Sequence, residues 1–428
     1  MRVSASVYRP AREDCVTENY SRSYTGREGL RLCETMSTQS RSDLTDMTVR
    51  RFSEDNGSTW GEWEPVESIT DESREQGEHR LSYIRGTSVW NPVHRHTVSF
   101  SGNRVWEGGY NAAYARYWQG DSGAMPIHSF ITVTDENGEE YTELVKYEDG
   151  DAFDPQDWMK PAFFKRNICF VIGNVIVEEN GDILFSAEVP MRTCCTMRGM
   201  DIEELFPSAP DFPCGIIVMR GHWNGKHYEL SCGRPVVISE RQSTRGFNEP
   251  AMAKLSGGRI VLIMRGSNVK MRFCGDSYDP GMPAVKWYAY SEDGGRTFTE
   301  AMPWHFDDGE IIYSSATCSS VLRDFRTGRH FWIGNITSHA VRGNYPRYPL
   351  CIVELDEKTG AAKRSSYTII DTRREGEPET LQLSNFNLLQ NRETGKLEIM
   401  LAKLEQYLDP ANPHSRFKAD VWKYEIEL

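Results

Sequence analysis

The sequence lacks the cysteine patterns that hold small domains together. Its ten cysteines are scattered over 428 residues without a CxxC pair or a histidine-spaced cluster, so neither a zinc site nor a disulfide framework is indicated. A Gly-rich phosphate loop and a GxSxG nucleophile elbow are missing as well. Because these motifs carry nucleotide binding and acyl transfer, we expect no cofactor and no metal.

Basic residues are in the minority. Lys and Arg total 49 against 62 Asp and Glu, which gives a net charge of −13 with neutral His. This charge opposes the attraction to phosphates on which nucleic-acid binding depends, so we expect no nucleic-acid partner. An anionic small ligand remains compatible with it, because a few Arg side chains in one site can reverse the local field.

Long apolar runs are missing too. No stretch of about 18 apolar residues occurs, and the first residues, MRVSASVYRPARED, lack the apolar core of a secretory signal. We expect a soluble protein without a membrane partner, either cytoplasmic or exported by a signal that this sequence does not carry. The oligomeric state is left open.

Short strand-like runs are present in abundance. Hydrophobic residues make up 39% of the chain and aromatic residues 11%, which is enough to close a large core. Runs rich in β-branched residues alternate with Asn-Gly turns at 180–181 and 224–225 and with a Gly-Gly turn at 257–258, which are typical of antiparallel hairpins. Helical spacing is confined to short pieces such as DIEELF at 201–206. The pattern predicts an all-β fold.

One turn pattern occurs twice. FSEDNGSTW at 52–60 and YSEDGGRTF at 290–298 share Ser, Asp, Gly, Thr and an aromatic residue at the same spacing. The Asp can accept bonds from nearby backbone N–H groups, the Gly accepts a positive φ, and the aromatic ring can pack against the sheet. The pattern therefore predicts two tight turns, each following a strand.

These turns resemble the Asp-box, or BNR repeat, of the sialidase (neuraminidase) superfamily. The resemblance implies a β-propeller of the sialidase type, most simply with six blades, although seven are possible. It implies a single propeller domain over residues 1–428 with the turns between the third and fourth strands of their blades. Six blades need fewer residues than the chain has, so we expect insertions, and their predicted place is within 68–165.

Two further stretches resemble parts of the sialidase site. CETMSTQSRSDLTDMTVRRF is similar to the first blade, where an acid follows a strand; Asp43 stands there, with Asp46 as the neighbouring alternative. RGFNEPAMAKLSGGRIVLIMR is similar to the stretch in which a Glu precedes a hairpin and an Arg ends it. Glu249 and Arg265 occupy these positions.

The remaining arginines of the family's triad are matched less closely. RGNYPRYPLCIVEL resembles the segment that presents a further Arg, which we assign to Arg347, with Arg342 in the same loop as the alternative. The family's first Arg belongs to an Arg-Ile-Pro motif near the N-terminus. This chain has YRPARED there, which offers Arg12 by its distance to the next blade and Arg9 by its proline.

The resemblance implies an exo-acting glycoside hydrolase for a terminal carboxylated sugar, sialic or uronic. Arg forks bind a planar carboxylate and stay charged at any working pH. Glu249 is then the predicted base and Asp43 the predicted acid. The family's Tyr nucleophile has no counterpart, because its position reads Leu383-Ser384. Either a Tyr from another strand attacks, or Glu249 activates water directly.

Two other functions stay open. His94 and His96 stand two residues apart, so on a strand both would face one side. With Tyr114, Tyr117 or Tyr345 they could abstract a proton beside a uronate carboxylate, which would make the protein a polysaccharide lyase. The third hypothesis is a carbohydrate-binding propeller without turnover.

Overall fold

The computed structural model describes residues 1–26, 29–66, 75–151, 154, 156–269, 271 and 281–428. The chain divides into two compact units. Unit 1 comprises Met1–Asp71 and His305–Leu428, and unit 2 comprises Glu72–Trp304. Strands hold 43% of the residues and helices 8%, which confirms the predicted all-β class.

The strands of the first part of the chain are β1 (Arg2–Arg9), β2 (Thr17–Tyr24), β3 (Leu32–Gln39), β4 (Met47–Ser53), β5 (Glu64–Pro65), β6 (Glu75–Gln76), β7 (His79–Asn91), β8 (His96–Trp106), β9 (Ile127–Asp135), β10 (Glu140–Leu144), β11 (Phe170–Val171), β12 (Ile176–Val177) and β13 (Ile183–Pro190). Those of the second part are β14 (Cys214–Trp223), β15 (Tyr228–Cys232), β16 (Asn248–Lys254), β17 (Ile260–Arg265), β18 (Lys286–Ser291), β19 (Met302–Pro303), β20 (Ser320–Arg323), β21 (His330–Asn335), β22 (Leu350–Glu354), β23 (Thr368–Asp371), β24 (Phe386–Gln390), β25 (Leu397–Ala402) and β26 (Val421–Glu427).

The helices are short. They are α1 (Tyr110–Tyr117), α2 (Pro161–Phe164), α3 (Met191–Arg198) and α4 (Ile202–Leu205), with 3-10 turns at Ser122–Ala124, Arg364–Ser366 and Pro413–Phe417. The side chain of Asp201 caps α4 by accepting from the amide of Glu203. Within the described ranges, no helix has the length and apolar character of a membrane span.

Unit 1 holds three four-stranded antiparallel sheets. Two are meanders of consecutive strands, β2 to β5 and β20 to β23. In the third, the order is β1-β26-β25-β24, so the first strand of the chain completes the sheet of the last three. The register pairs Ala5 with Tyr424 across β1 and β26.

Unit 2 holds the other three sheets. Their strand orders are β10-β9-β8-β7-β6, β11-β13-β14-β15 with β12 also pairing β13, and β16-β17-β18-β19. The described residues thus form six antiparallel sheets, which confirms the predicted six-bladed β-propeller. A seventh sheet does not occur in the part of the chain that the structure describes.

The central strands are covered on both faces. Every residue of β17, β21 and β25 is buried, which explains why these strands read as continuous apolar runs rather than as alternating patterns. In unit 1 the core cluster includes Phe331, Ile352 and Ile399, all fully buried. The nine described cysteines are free thiols.

Both predicted turns have the expected bonding. In the first, Asp55 Oδ1 accepts from the Ser53 hydroxyl at 2.8 Å and from the Thr59 amide at 2.7 Å. In the second, Asp293 Oδ1 accepts from Ser291 and from the Thr297 amide at 2.7 and 2.9 Å. The turns lie between β4 and β5 and between β18 and β19, which are the third and fourth strands of their sheets.

The segment predicted to hold insertions contains the five-stranded sheet of unit 2. Its strands β7 and β8 are long, at 13 and 11 residues, and α1 is inserted between β8 and β9. Residues 68–74, 152–153 and 155 of the predicted range lie outside the described residues. The extent of a single domain over 1–428 stays a prediction.

Candidate functional site

In unit 2, Glu249 stands on a β-bulge. The register between β16 and β17 pairs Asn248 with Arg265 and then Ala251 with Ile263, so β16 carries one extra residue. Glu249 has a φ of 44°, and a positive φ at a residue other than glycine costs about 1–3 kcal/mol. Bulges re-aim a side chain out of the regular alternation of a strand, and here the re-aimed side chain is the predicted base.

Glu249 and Arg265 form an ion pair. Arg265 Nη1 donates to Glu249 Oε2 at 2.7 Å, and the two side chains are 11% and 18% exposed, respectively. Burial weakens screening by water, so this contact is stronger than a surface ion pair. The structure therefore brings together the two residues that the sequence stretch RGFNEPAMAKLSGGRIVLIMR predicts as neighbours in a site.

A second carboxylate, Glu188 of β13, supports the bulge. Its Oε1 accepts the backbone N–H of Glu249 at 2.6 Å, and its Oε2 accepts from Asn248 Nδ2 at 2.9 Å. Burial, followed by the negative charge of Glu249, raises the pKa of Glu188 to about 7. Two acidic side chains, Glu188 and Glu249, thus lie with Arg265 where β16 begins and β17 ends. The carboxyl of Glu188 has a pKa near neutrality.

In unit 1, Arg347 lies in a polar network before β22. Its Nη1 donates to Gln382 Oε1 at 2.9 Å and to Ser384 Oγ at 3.2 Å, and its Nε donates to the carbonyl of Asn344 at 3.2 Å. The competing Arg342 is exposed in the same loop. These contacts fix the guanidinium of Arg347 between the loop before β22 and the segment that contains Gln382 and Ser384.

The position at which the resemblance places the nucleophile is occupied by a buried leucine. Leu383 is fully buried in the core cluster of unit 1, and its amide donates to the carbonyl of Arg347 at 2.9 Å. Its neighbour Ser384 bonds Arg347 through its hydroxyl. The position that the resemblance assigns to the nucleophile therefore carries a side chain that packs in the core.

Asp43 stands at the tip of its loop in unit 1. It is exposed and has a φ of 59°. The alternative, Asp46, closes the same loop, because its Oδ2 accepts the amide of Ser40 at 2.6 Å and its own amide bonds the carbonyl of Thr38 at 2.9 Å. Asp46 therefore has a structural role in this loop, and the assignment of Asp43 as the acid stays a prediction.

Arg12 is surrounded by carboxylates. Its Nε donates to Asp14 Oδ1 at 3.0 Å and its Nη1 to Glu18 Oε1 at 3.3 Å, with the side chain 42% exposed. Arg9 is exposed at the end of β1, with its guanidinium 5.4 Å from the ring centroid of Tyr8. Two acids already compete for Arg12, and its role as a substrate ligand stays a prediction.

The histidines of unit 2 pair with a tyrosine that the sequence does not point to. The rings of His94 and His96 stack with centroids 5.8 Å apart, and His96 Nε2 is hydrogen-bonded to Tyr228 at 2.7 Å. His96 and Tyr228 are only 3% and 2% exposed. Burial lowers the pKa of His96 to about 4. The predicted partners Tyr114 and Tyr117 lie on α1 instead. His96 and Tyr228 thus form a hydrogen-bonded pair, but both side chains are too buried to contact a glycan.

One pocket of about 560 Å³ lies in unit 1 outside the predicted site. Its lining residues are Pro10, Ala11, Glu13, Cys15, Tyr407, Asp409, Asn412, Ser415, Lys418 and Asp420. None of the five predicted site residues is among them. Across the described ranges, no group of three or more His, Cys, Asp or Glu side chains is placed to hold a metal ion.

Two residues of these networks escape the sequence analysis. Glu188 lies in a strand without any motif, and Gln382 is 35 residues from Arg347 in sequence. The one available signal is a buried-strand stretch interrupted by a charge, as in FSAEVP around Glu188, because buried charges are rare unless they are paired.

The comparisons with known proteins give structural neighbours only. No protein-family model and no curated protein matches the chain. A Dyadobacter fermentans protein of unknown function has a TM-score of 0.57 at 13% identity, with 99% of each chain covered. The NanB sialidase of Streptococcus pneumoniae has a TM-score of 0.55 at 11% identity, covering 96% of this chain and 68% of that one.

A Trypanosoma rangeli sialidase has a TM-score of 0.54 at 12% identity. The alignment covers 99% of this chain but 59% of the sialidase chain, so this protein spans little more than half of that relative. At such identities the likeness establishes the fold. The chain has a sialidase-like six-bladed propeller fold.

Proposed function

We propose that the protein is an exo-acting glycoside hydrolase of the sialidase type that acts on a terminal carboxylated sugar, sialic or uronic. The observation that carries the proposal is the Glu249–Arg265 ion pair at 2.7 Å on the bulge of β16. It joins an acid–base group to a carboxylate-binding group in a fold shared with two named sialidases. A fold hosts many functions, so this site, rather than the propeller, is the basis of the proposal.

The proposed roles follow from the chemistry of each group. In unit 2, Arg265 binds the substrate carboxylate and Glu249 is the base. For unit 1, the resemblance implies Arg347 as a carboxylate ligand and Asp43 as the acid. An Arg has five N–H donors, so Arg265 can serve Glu249 and a substrate carboxylate together. Glu188, with its raised pKa of about 7, reduces the negative charge near Glu249 when it is protonated, and this favours binding of an anionic sugar.

A product screen tests the function. Sialosides and uronate-capped oligosaccharides are incubated with the protein, and products are read by mass spectrometry and ultraviolet absorbance. The proposal expects release of the terminal acidic sugar without an unsaturated product. An absorbing, unsaturated product would establish a lyase, and binding without any product would establish a carbohydrate-binding propeller; either result overturns the proposal.

Variants of the ion pair locate the activity. Glu249→Gln and Arg265→Ala should each lower kcat/KM at least about 100-fold, the lower end of the effect of losing an acid–base group. The matched controls are Arg259→Ala and Glu292→Gln, which break an ion pair of 2.5 Å between the residue before β17 and the residue after β18. Those controls should leave activity unchanged. Full activity in both Glu249→Gln and Arg265→Ala would refute the assignment.

A further inference from the structure

Helix α1 of unit 2 carries a row of aromatic side chains. Tyr110, Tyr114 and the C-cap residue Trp118 are four residues apart, so they lie on the same face of the helix. The rings of Tyr110 and Tyr114 are stacked with their centroids 5.4 Å apart, and those of Tyr114 and Trp118 are 6.1 Å apart in an edge-to-face arrangement. The row begins at the buried Trp106 of β8, whose ring lies 4.8 Å from that of Tyr110. The insertion between β8 and β9 therefore holds a continuous series of ring contacts.

The rings on α1 remain partly accessible to solvent. The one buried residue of this helix is Ala113, whereas Tyr110, Tyr114, Tyr117 and Trp118 are half-buried. Aromatic side chains that only fix an insertion to the core would be among its most buried residues, because their large area makes burial favourable. Half-buried Tyr and Trp side chains, with an apolar body and a polar tip, are instead enriched at binding surfaces.

An arginine lies against the end of this row. The guanidinium carbon of Arg245 is 5.7 Å from the ring centroids of both Tyr117 and Trp118, and 5.8 Å from that of Phe212. Its Nη2 donates to the hydroxyl of Tyr117 at 2.5 Å. Within the described part of the chain, the groups that contact this guanidinium are rings and a hydroxyl, and none of them is a carboxylate. Its positive charge is therefore available to an anionic ligand.

Arg245 is close to the bulge of the candidate site. It precedes Glu249 by four residues, so the reach of an extended chain limits the separation of the two residues to about 14 Å. The segment is bonded to the start of β14, because the amide of Cys214 donates to the carbonyl of Arg245 at 3.2 Å and its carbonyl accepts the amide of Phe247 at 2.8 Å. Burial and then Glu188 raise the pKa of Cys214 to about 12, and Arg245 lowers it. Arg245 and the carboxyl that supports the bulge thus lie near the same thiol.

We propose that Tyr117, Trp118 and Arg245 form a second subsite, which binds a carboxylated sugar next to the terminal sugar held at Arg265. The rings stack on the apolar face of this second sugar, and the guanidinium of Arg245 binds its carboxylate. The inference rests on the proposed function and defines the substrate more narrowly, as a glycan that ends in two consecutive acidic sugars.

The chemistry of the second subsite selects this occupant. Aromatic rings beside a guanidinium suit a ligand that has an apolar face and an anionic edge, and a pyranose with a carboxylate has both. Nucleic acids also combine rings with anions, but the net charge of −13 opposes them. The short distance along the chain to Glu249 makes the second sugar a continuation of the glycan bound at the candidate site.

Matched disaccharides test the inference. Each pair shares the acidic terminal sugar and differs in the second sugar: digalacturonate against galacturonyl-galactose, and disialic acid against sialyl-galactose. The wild type should have the higher kcat/KM on the member with two acidic sugars. Arg245→Gln keeps an amide that can donate to Tyr117 but carries no charge. It should lower this preference about 10- to 100-fold, the effect of losing a hydrogen bond to a charged group, and should keep the wild-type kcat/KM on the member with a neutral second sugar.

Two further variants separate stacking from charge. Trp118→Ala should lower kcat/KM on both members of a pair about equally, because the ring contacts either sugar. Arg241→Ala removes an exposed arginine from the same segment and should leave the preference unchanged, so it controls for a general effect of net charge. An unchanged preference in Arg245→Gln, or an equal loss in Arg241→Ala, overturns the inference and leaves the proposed hydrolase intact.

Binding tests the inference separately from turnover. If no acidic glycan is hydrolysed, the proposed function is wrong, and titration calorimetry with digalacturonate and galacturonyl-galactose measures the second subsite directly. The wild type should bind digalacturonate more tightly, and Arg245→Gln should bind the two disaccharides alike. Equal affinities of the wild type for both disaccharides would overturn the inference as well.

Discussion

The buried carboxyl of Glu188 makes the stability of the protein depend on pH in a specific window. Its pKa is raised from 4.5 to about 7, mainly by burial and then by Glu249. Between these values the folded protein binds a proton that the unfolded chain has released. The contribution of Glu188 to stability is therefore full below pH 4.5 and is lost as the pH rises through 7.

The magnitude follows from the shift. One pKa unit corresponds to about 1.4 kcal/mol, so a shift of about 2.5 units corresponds to roughly 3 kcal/mol. Glu188→Gln keeps the size of the side chain and an amide oxygen that can accept the N–H of Glu249, but it cannot ionise. We expect the free energy of unfolding of this variant, relative to the wild type, to rise by about 3 kcal/mol between pH 4.5 and pH 8.

Urea unfolding of both proteins, followed by fluorescence at the two pH values, measures this difference. The control is Glu204→Gln, which removes an exposed carboxyl of α4 in the same unit. Because only the change between variants is used, other groups that titrate in both proteins cancel. Parallel pH dependences for the wild type and Glu188→Gln, or an equal effect of Glu204→Gln, would refute the reasoning.

Two further predictions concern packing. Leu383→Tyr puts a larger side chain with a hydroxyl into a fully buried position; it should lower the free energy of unfolding by about 1–3 kcal/mol without raising the rate of hydrolysis, and a gain in activity would contradict this. Gly246→Ala should destabilise by at least about 1 kcal/mol, because φ is 67° and an added Cβ would overlap the carbonyl oxygen of Cys214. Gly257→Ala meets nothing within 4 Å and should change stability by less than about 0.5 kcal/mol. Equal urea midpoints for the two glycine variants would contradict the steric argument.

The fold class could be predicted from the sequence because its turns and hairpins depend on residues that are close together in the chain. A turn such as Ser291–Phe298 is closed by bonds within eight residues, so its pattern is visible without any long-range information. The strands between the turns are short and antiparallel, and the Gly and Asn residues mark their ends. The position of β1 beside β26 could not be read in this way, because nothing in Arg2–Arg9 specifies a partner at the other end of the chain.

The candidate site was only partly predictable, because only some of its contacts join residues that are close together in the chain. Glu249 and Arg265 are sixteen residues apart on one hairpin, and their pairing across β16 and β17 is local. Glu188 reaches Glu249 from a different sheet, and Gln382 reaches Arg347 across 35 residues. No spacing rule connects such residues, so their contacts appear only in three dimensions.

Three acidic residues share an unusual backbone conformation. Asp43, Glu249 and Glu405 all adopt a positive φ, where glycine would be comfortable and an acidic residue costs about 1–3 kcal/mol. Four described residues with other side chains share this conformation, namely Cys15, Asn56, Arg95 and Asn167, so a positive φ alone does not mark a catalytic carboxylate. Glu249 is distinguished by its contacts, because its side chain pairs with Arg265 at 2.7 Å and its backbone N–H bonds the buried carboxyl of Glu188 at 2.6 Å. The contacts, rather than the strain, are therefore the reason to test Glu249 first.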